Sequence, residues 1–231
     1  MAELDYISAE LLEGVGHKFA CEKLVQAQCK AWEILAEIKG KIELGMTEAD
    51  ARALAIEIFL EHGITKHWHQ PYIRFGPGTL LTFHQRLQKD YRLAKSDPFY
   101  IDLGPILKNE NTKVQYEADV GDTFVFGENL EAEKCAVAAR SLFHQAVKFW
   151  KTEKPTGLLL YEFLGSRAQE CGYDLVEKVE GHRLSDFPHQ RFSKENLARL
   201  PFNPASSLWV LEVHLVDKQR RFGAFYEDLL G

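Results

Sequence analysis

The sequence predicts an α+β fold made of two similar halves, joined in one domain over residues 1–231. Three observations predict it. Helical apolar periodicity occurs in two pairs of segments, and each pair is followed by strand-like runs. No stretch of biased composition separates the two pairs, so nothing marks a linker. Four strand-like runs are each interrupted by a carboxylate: Asp102 in FYIDLGPI, Asp119 in EADVGDTFVFG, Glu212 in WVLEVHL and Glu227 in AFYEDLLG.

The elements follow in order. Residues 8–39 place Leu11, Leu12, Phe19, Leu24, Val25, Trp32, Ile34, Leu35 and Ile38 at helical spacing, a long helix ended near Gly40. Cys21 and Cys29 read as small buried residues on it. Thr47 with Asp50 three residues on is an N-cap signal, opening a helix to about Glu61 before Gly63. HWHQPYIRFGPGTLLTFH, from His67 to His84, reads as strand, Gly-Pro-Gly turn and strand, its aromatics in the core or along a pocket wall. After Asp97-Pro98 comes a strand over 99–106, a polar hairpin loop KNENTK, and a second strand through Tyr116, Ala118 and Val120 to Phe126. Asp102 and Asp119 then lie on neighbouring strands, within reach of one metal. Residues 131–151 form an amphipathic helix, and a further helix over 158–171 follows Pro155-Thr156-Gly157 and stops at Gly172. Strands at 208–216 and 222–229 close the chain.

Composition sets outer bounds. The chain has 231 residues, 45% hydrophobic and 27% charged, which suits an ordinary globular protein. A net charge of -6 gives no electrostatic reason to expect nucleic acid or an anionic membrane as partner, and it suits a cation site. No apolar run nears the roughly 18 residues of a spanning helix. Cys21, Cys29, Cys135 and Cys171 show no CxxC spacing, and MAELDYISAELL lacks the pattern of a signal peptide, so reduced thiols and a cytoplasmic location are expected. The oligomeric state is open, a homodimer included.

The chemistry centres on Gly181-His182-Arg183-Leu184-Ser185-Asp186-Phe187-Pro188-His189, where two histidines stand seven residues apart. Pro188 and Gly181 argue against a continuous helix and for an extended or looped segment aiming both imidazoles at one cavity. A lone histidine is more often structural than a ligand. A carboxylate inside an apolar strand, however, is costly to bury unless it is paired or binds a cation. Four converging carboxylates would repel one another until some stayed protonated, and divalent ions reverse that penalty. Two Asp, two Glu and one His suit Mn, Fe, Co or Zn better than a closed structural zinc site.

The order Asp, Asp, His, Glu, Glu resembles the pita-bread metallopeptidases: methionine aminopeptidase, aminopeptidase P, prolidase and the creatinase relatives. Asp119 leads through DVGDTFVFG to Gly127, His182 follows Gly181 and precedes His189, Glu212 sits in a late strand, and AFYED carries Glu227. The similarity covers roughly residues 17–231. It implies the pita-bread fold, two pseudo-symmetric halves with helices packed on a curved, mostly antiparallel sheet. It also implies two divalent ions, one held by Asp102, Asp119 and Glu227, the other by Asp119, His182, Glu212 and Glu227. A metal-bridging hydroxide would attack a scissile amide, with Glu212 as proton shuttle and His189 on the substrate or tetrahedral intermediate. The family's histidine before the first Asp is matched by His84, eighteen residues upstream, with His69 as the fallback.

Several positions depart from the family pattern. RLSDFP between the two histidines is bulkier and more charged than usual, Val213 stands where proline is common, and the two Asp ligands are further apart than in the shortest members. No N-terminal domain of the aminopeptidase P or prolidase kind is expected to precede the catalytic fold. The size is that of methionine aminopeptidase while the local sequence is closer to aminopeptidase P. The implied function is therefore an aminopeptidase P-like, Xaa-Pro-type exopeptidase acting on a peptide. A creatinase-like hydrolase of small amides and a non-catalytic binding module are the competing readings. Trp68, Tyr72, Phe75, Phe187 and Trp209 are candidates for a hydrophobic specificity site or for core, and Arg183 for binding a substrate carboxylate or pairing with Asp186.

Overall fold

A computed structural model of the chain describes residues 13, 15–16, 18–83, 85, 91–185, 187 and 195–231. Its centre is an eight-stranded sheet. The first half supplies helices α1 (Cys21–Lys41) and α2 (Glu48–Glu61) and strands β1 (His67–Phe75), β2 (Pro98–Lys108), β3 (Gln115–Glu117) and β4 (Val120–Val125). The second supplies α3 (Leu130–Glu153), α4 (Gly157–Glu170), β5 (Tyr173–Leu175), β6 (His182–Arg183), β7 (Trp209–Asp217) and β8 (Gly223–Leu229). The strand order is β1-β2-β4-β8-β7-β5, with β3 beside β2 and β6 beside β7, and every pairing is antiparallel.

Strand alternation decides which side chains meet the helices. Ile101 and Leu103 of β2 join α1 and α2 in one apolar cluster. Leu211, Val213 and Leu215 of β7 and Ala224 and Tyr226 of β8 join α3 and α4 in a second. Asp102, Glu212 and Glu227, each one residue out of phase with these, therefore face the opposite side of the sheet. The apolar stripe on α1, Leu24, Ala27, Ala31, Ile34, Leu35 and Ile38, is fully covered, as its spacing requires. α2 begins with a capping box, in which Asp50 N–H donates to Thr47 Oγ1 (3.1 Å) and Thr47 N–H to the Asp50 carboxylate (2.9 Å).

The halves meet where β4 runs beside β8, and the ladder there is thin. Gly121 with Glu227 is the pair the register gives among the described residues. Side chains take over the rest of the seam. The Thr123 hydroxyl donates to Phe225 C=O (2.8 Å) and accepts from Phe225 N–H (2.7 Å), standing in for a strand neighbour.

Three expectations change. Among the described residues the helix expected over 8–39 covers Cys21–Lys41, preceded by a turn bond from Phe19 N–H to Gly16 C=O (2.8 Å) and an extended Ala20, while its expected start near residue 8 lies outside the described residues; Cys21 and Cys29 are exposed. The chain after β1 forms a short 3-10 turn over Gly76–Leu80 instead of a second strand. Gly76 adopts φ +48°, and the Thr79 hydroxyl donates to its carbonyl at 2.7 Å, so the chain bends off the sheet and β1 pairs with β2. Finally, the strand expected through Tyr116 to Phe126 is broken at Ala118-Asp119, giving β3 and β4.

Candidate metal centre

The register lays a row of residues straight across four strands: Asp102 opposite Gly121, Gly121 opposite Glu227, and Glu227 opposite Glu212. Directly opposed residues project to the same face. Asp119, two residues before Gly121, projects to that face too, since its neighbours Ala118 and Val120 lie in the helix-side core. β6 pairs alongside β7, with His182 opposite Val210, and brings its Nε2 to 2.7 Å from Asp119 Oδ2. The fold thus gathers Asp102, Asp119, His182, Glu212 and Glu227 on the face away from the helices.

His69 on β1 joins them. Its Nε2 is 3.2 Å from Asp119 Oδ1 and 3.3 Å from Asp102 Oδ1, and these three residues present ligand atoms within 4.8 Å of one another. His84 and His189, the two histidines assigned to substrate contact, lie outside the described residues.

Burial and mutual repulsion set the protonation. The Glu227 carboxyl is pushed well above the usual range, first by burial and then by Asp119, Asp102 and Glu212. Burial also raises Asp102, to about 7, against the pull of His69. Glu212 rises for the same first reason, partly offset by His182. Asp119 is lowered, because hydrogen bonds from His182 and His69 outweigh its burial. Burial disfavours charge on the imidazoles, yet the carboxylates beside them carry both His69 and His182 up to about 9.

Two features fit a cation. Glu227 Oε1 is buried without a hydrogen-bond partner, the kind of orphan acceptor that natural interiors rarely keep. Gly121 leaves a cradle beside it, where an added Cβ would stand 2.8 Å from that same oxygen and 2.5 Å from the Phe225 ring. The donor set of four carboxylates and imidazole is one that divalent transition ions bind.

The supports behind the site were less visible in the sequence. Gln28, from α1, accepts from Asp119 N–H at 3.0 Å and donates to Asp119 C=O through its amide nitrogen, which also reaches Asp228 Oδ1 at 2.8 Å. It thereby satisfies both peptide groups of the residue left unpaired by the break between β3 and β4. The available signal was a polar residue on the apolar stripe of α1. Glu212 accepts from Gly181 N–H (2.6 Å), and the Tyr161 hydroxyl bonds the Glu212 peptide C=O (3.1 Å) and N–H (3.3 Å). Gly181 sits at φ +64°, and a Cβ there would stand 2.5 Å from Val210 C=O.

Arg183 is buried and donates to Ser185 Oγ and to Glu13 C=O, both at 2.6 Å, so it braces the strand carrying His182. Its other expected partner, Asp186, is outside the described residues. Phe75 and Trp209 are core residues, Phe187 is exposed, and Trp68 packs edge-on to both His69 and His182, with ring centroids at 4.3 and 4.9 Å. A cavity of about 960 Å³ is lined by Leu80, Tyr161, Val176, Val179, Glu180 and Arg220 among others, and by none of the carboxylates or imidazoles of the centre. Tyr161 links its wall to Glu212.

Comparison with known proteins gives a consistent result. The family profile described as metallopeptidase family M24 matches residues 21–229. Similar solved structures include an X-Pro aminopeptidase from Thermotoga maritima (TM-score 0.71, 20% identity, covering 90% of this chain and 60% of that one). A prolidase from Pyrococcus horikoshii aligns with TM-score 0.69 at 17% identity, over 90% of this chain and 58% of its own. A methionine aminopeptidase from Thermotoga maritima aligns with TM-score 0.64 at 15% identity, over 91% and 95%. These likenesses establish the pita-bread fold. The chain spans about three fifths of the length of the X-Pro aminopeptidase and prolidase it matches. No curated protein sequence matches it, and no described helix is long and apolar enough to cross a membrane.

Proposed function

This chain belongs to metallopeptidase family M24, and from that premise we propose that it hydrolyses an amide bond with two divalent cations, as an Xaa-Pro-type exopeptidase in the cytoplasm. The observation that carries the reading is the row Asp102, Gly121, Glu227, Glu212 across the sheet, with Asp119 and His182 closing over it. Asp102, Asp119 and Glu227 would hold one ion, and Asp119, His182, Glu212 and Glu227 the other. Mn, Co, Fe or Zn bound there would supply Lewis acidity, acidifying water and polarising a scissile carbonyl.

The chain's own groups have separable tasks. Glu212, its carboxyl raised by burial and held through Oε2 by Gly181 N–H, suits a proton shuttle. His189 and His84 are assigned to hydrogen-bond the substrate. The cavity walled by Tyr161, whose hydroxyl bonds the Glu212 peptide, is large enough for a short peptide. The neighbours named X-Pro aminopeptidase and prolidase motivate Xaa-Pro peptides as the first substrates to try.

The test is to strip the protein, reload it with Mn, Co, Fe or Zn, count ions per chain, and assay a panel of Xaa-Pro peptides, other peptides and small amides. Cleavage before proline that disappears in Asp119→Ala and His182→Ala supports the proposal. Cleavage restricted to small amides replaces it with the creatinase-like reading. Tight metal binding with no turnover on any panel member, or no metal binding at all, replaces it with a binding module on the same scaffold.

A further inference from the structure

We propose that His69 is a sixth protein ligand of this centre, binding the ion held by Asp102 and Asp119; the inference rests on the metal centre proposed above. The two imidazoles around Asp119 are built alike. His69 Nδ1 is 2.8 Å from the carbonyl of the next residue, Gln70, and His182 Nδ1 is 3.0 Å from the carbonyl of its own next residue, Arg183. A carbonyl accepts only from an N–H, so in each ring Nδ1 carries hydrogen, and Nε2 is the atom whose lone pair an ion takes once it displaces the proton shared with the carboxylate. That is how metal-binding histidines are usually oriented. The two Nε2 atoms address different oxygens of one carboxylate, Oδ1 for His69 and Oδ2 for His182.

Distances separate the two contacts. The 2.7 Å between His182 Nε2 and Asp119 is the length of a charge-assisted hydrogen bond. The 3.2 and 3.3 Å from His69 Nε2 to Asp119 and Asp102 are longer than that. Two donor atoms each about 2.1 Å from one ion, at roughly right angles, stand about 3 Å apart. His69 with these two carboxylates has that spacing.

The ring also has nowhere else to go. It lies over Gly104, where an added Cβ would stand 2.3 Å from His69 Cδ2 and 2.4 Å from Nε2. Tyr72 stacks on it at 5.4 Å, with Trp68 against its edge at 4.3 Å. Register shifts on either side of His69 in the β1–β2 ladder swing this one residue toward the carboxylates. The consequence is chemical. Without His69 the Asp102 side of the centre offers only oxygen, which suits Mg or Ca as well as Mn; an imidazole there shifts preference toward Co, Fe and Zn.

The experiment loads stripped wild type, His69→Ala and His69→Phe with Co and, separately, Mn. Phe keeps a ring over Gly104 but offers no lone pair, so it guards against a folding defect in the smaller variant. Ions per chain, binding affinity and the imidazole nitrogen modulation of the Mn electron spin echo are measured, with His182→Ala as reference. The expected result is two ions in wild type. In both His69 variants one ion stays tight, the second is weakened at least about tenfold, and one of two imidazole signatures is lost. Two ions at wild-type affinity with an unchanged imidazole signal in either folded variant overturns the proposal, leaving His69 as a group that meets substrate. A folded wild type that binds no ion overturns the metal centre itself, and this inference with it.

Discussion

Gln28 on α1 grips Asp119 by both ends of its peptide unit, bonding its N–H and its C=O, and ties the same amide to Asp228, which Trp32 Nε1 also bonds at 3.1 Å. The grip sits where the ladder between the halves is thin. Gln28→Met, which keeps the length but removes the amide, leaves two buried peptide groups of Asp119 unpaired. It should cost about 2–4 kcal/mol, measured by denaturant unfolding. Because Asp119 is the residue shared by both proposed ions, metal affinity should fall roughly 10–100-fold, measured by calorimetry. Unchanged affinity in the folded variant would sever the link between this support and the site.

Gly121 makes a second, sharper case. An alanine methyl there would collide with the Phe225 ring and Glu227 Oε1, so Gly121→Ala should cost about 1–3 kcal/mol and weaken metal binding. Gly165 on α4 is the control, since a Cβ there meets nothing within 4 Å. Gly165→Ala should stabilise the protein by about 0.5–1 kcal/mol and leave metal binding alone. Paired melting curves distinguish the two sites.

What the sequence reveals and what it conceals divides along the range of the interactions. The Thr47–Asp50 cap, the helices over Leu130–Glu153 and Gly157–Glu170 and the last two strands were legible because each rests on local pattern. The break at Ala118-Asp119 was not, because the alternation Tyr116, Ala118, Val120 continues through it, and the peptide groups of Asp119 are bonded by Gln28, 91 positions away. Gly121 was hidden for a like reason: its empty side chain matters only once β4 lies beside β8. Spacing to Asp102 points to His84, which lies outside the described residues, with His69 as the fallback; that His69 reaches the carboxylates rests on the register shifts in β1. Registers and bulges of this kind are settled by tertiary packing, and a single sequence carries little trace of them.

Asp217 supplies a pH test remote from the centre. Buried at the β7–β8 turn, it accepts from Arg221 N–H (2.5 Å), Arg221 Nε (2.9 Å) and Phe222 N–H (3.3 Å). Burial opposes its charge, but these bonds prevail and hold its pKa below the ordinary 3.8. The unfolded chain then binds the proton more readily. Asp217 therefore adds stability that is fully present above about pH 3.8 and is lost as pH falls through the lower folded-state value. Wild type should exceed Asp217→Asn in unfolding free energy near neutrality, with the gap closing in strong acid. A gap independent of pH would mean that the turn depends on shape and not on charge.

Metal removal tests the energetics of the centre as a whole. In the cation-free protein the four carboxylates are kept together by protonation, with Glu227 raised well above the usual range, and by the two neighbouring imidazoles. An ion that binds the folded chain replaces those expedients and stabilises by mass action, about 2.7 kcal/mol per site at a free concentration one hundred times Kd. For a chain of 231 residues that corresponds to a rise in Tm of roughly 5–10 °C. Glu227→Gln should respond in the opposite sense on both counts. Its neutral amide removes one buried acid and raises the stability of the cation-free protein near neutral pH, while deleting a carboxylate assigned to both proposed ions and abolishing most of the metal-induced rise. Scanning calorimetry of the two proteins, each with chelator and with Co or Mn, reads both effects. If Glu227→Gln melts lower than wild type without metal and still gains the full increment with it, the carboxyl is structural and the shared-ligand assignment fails.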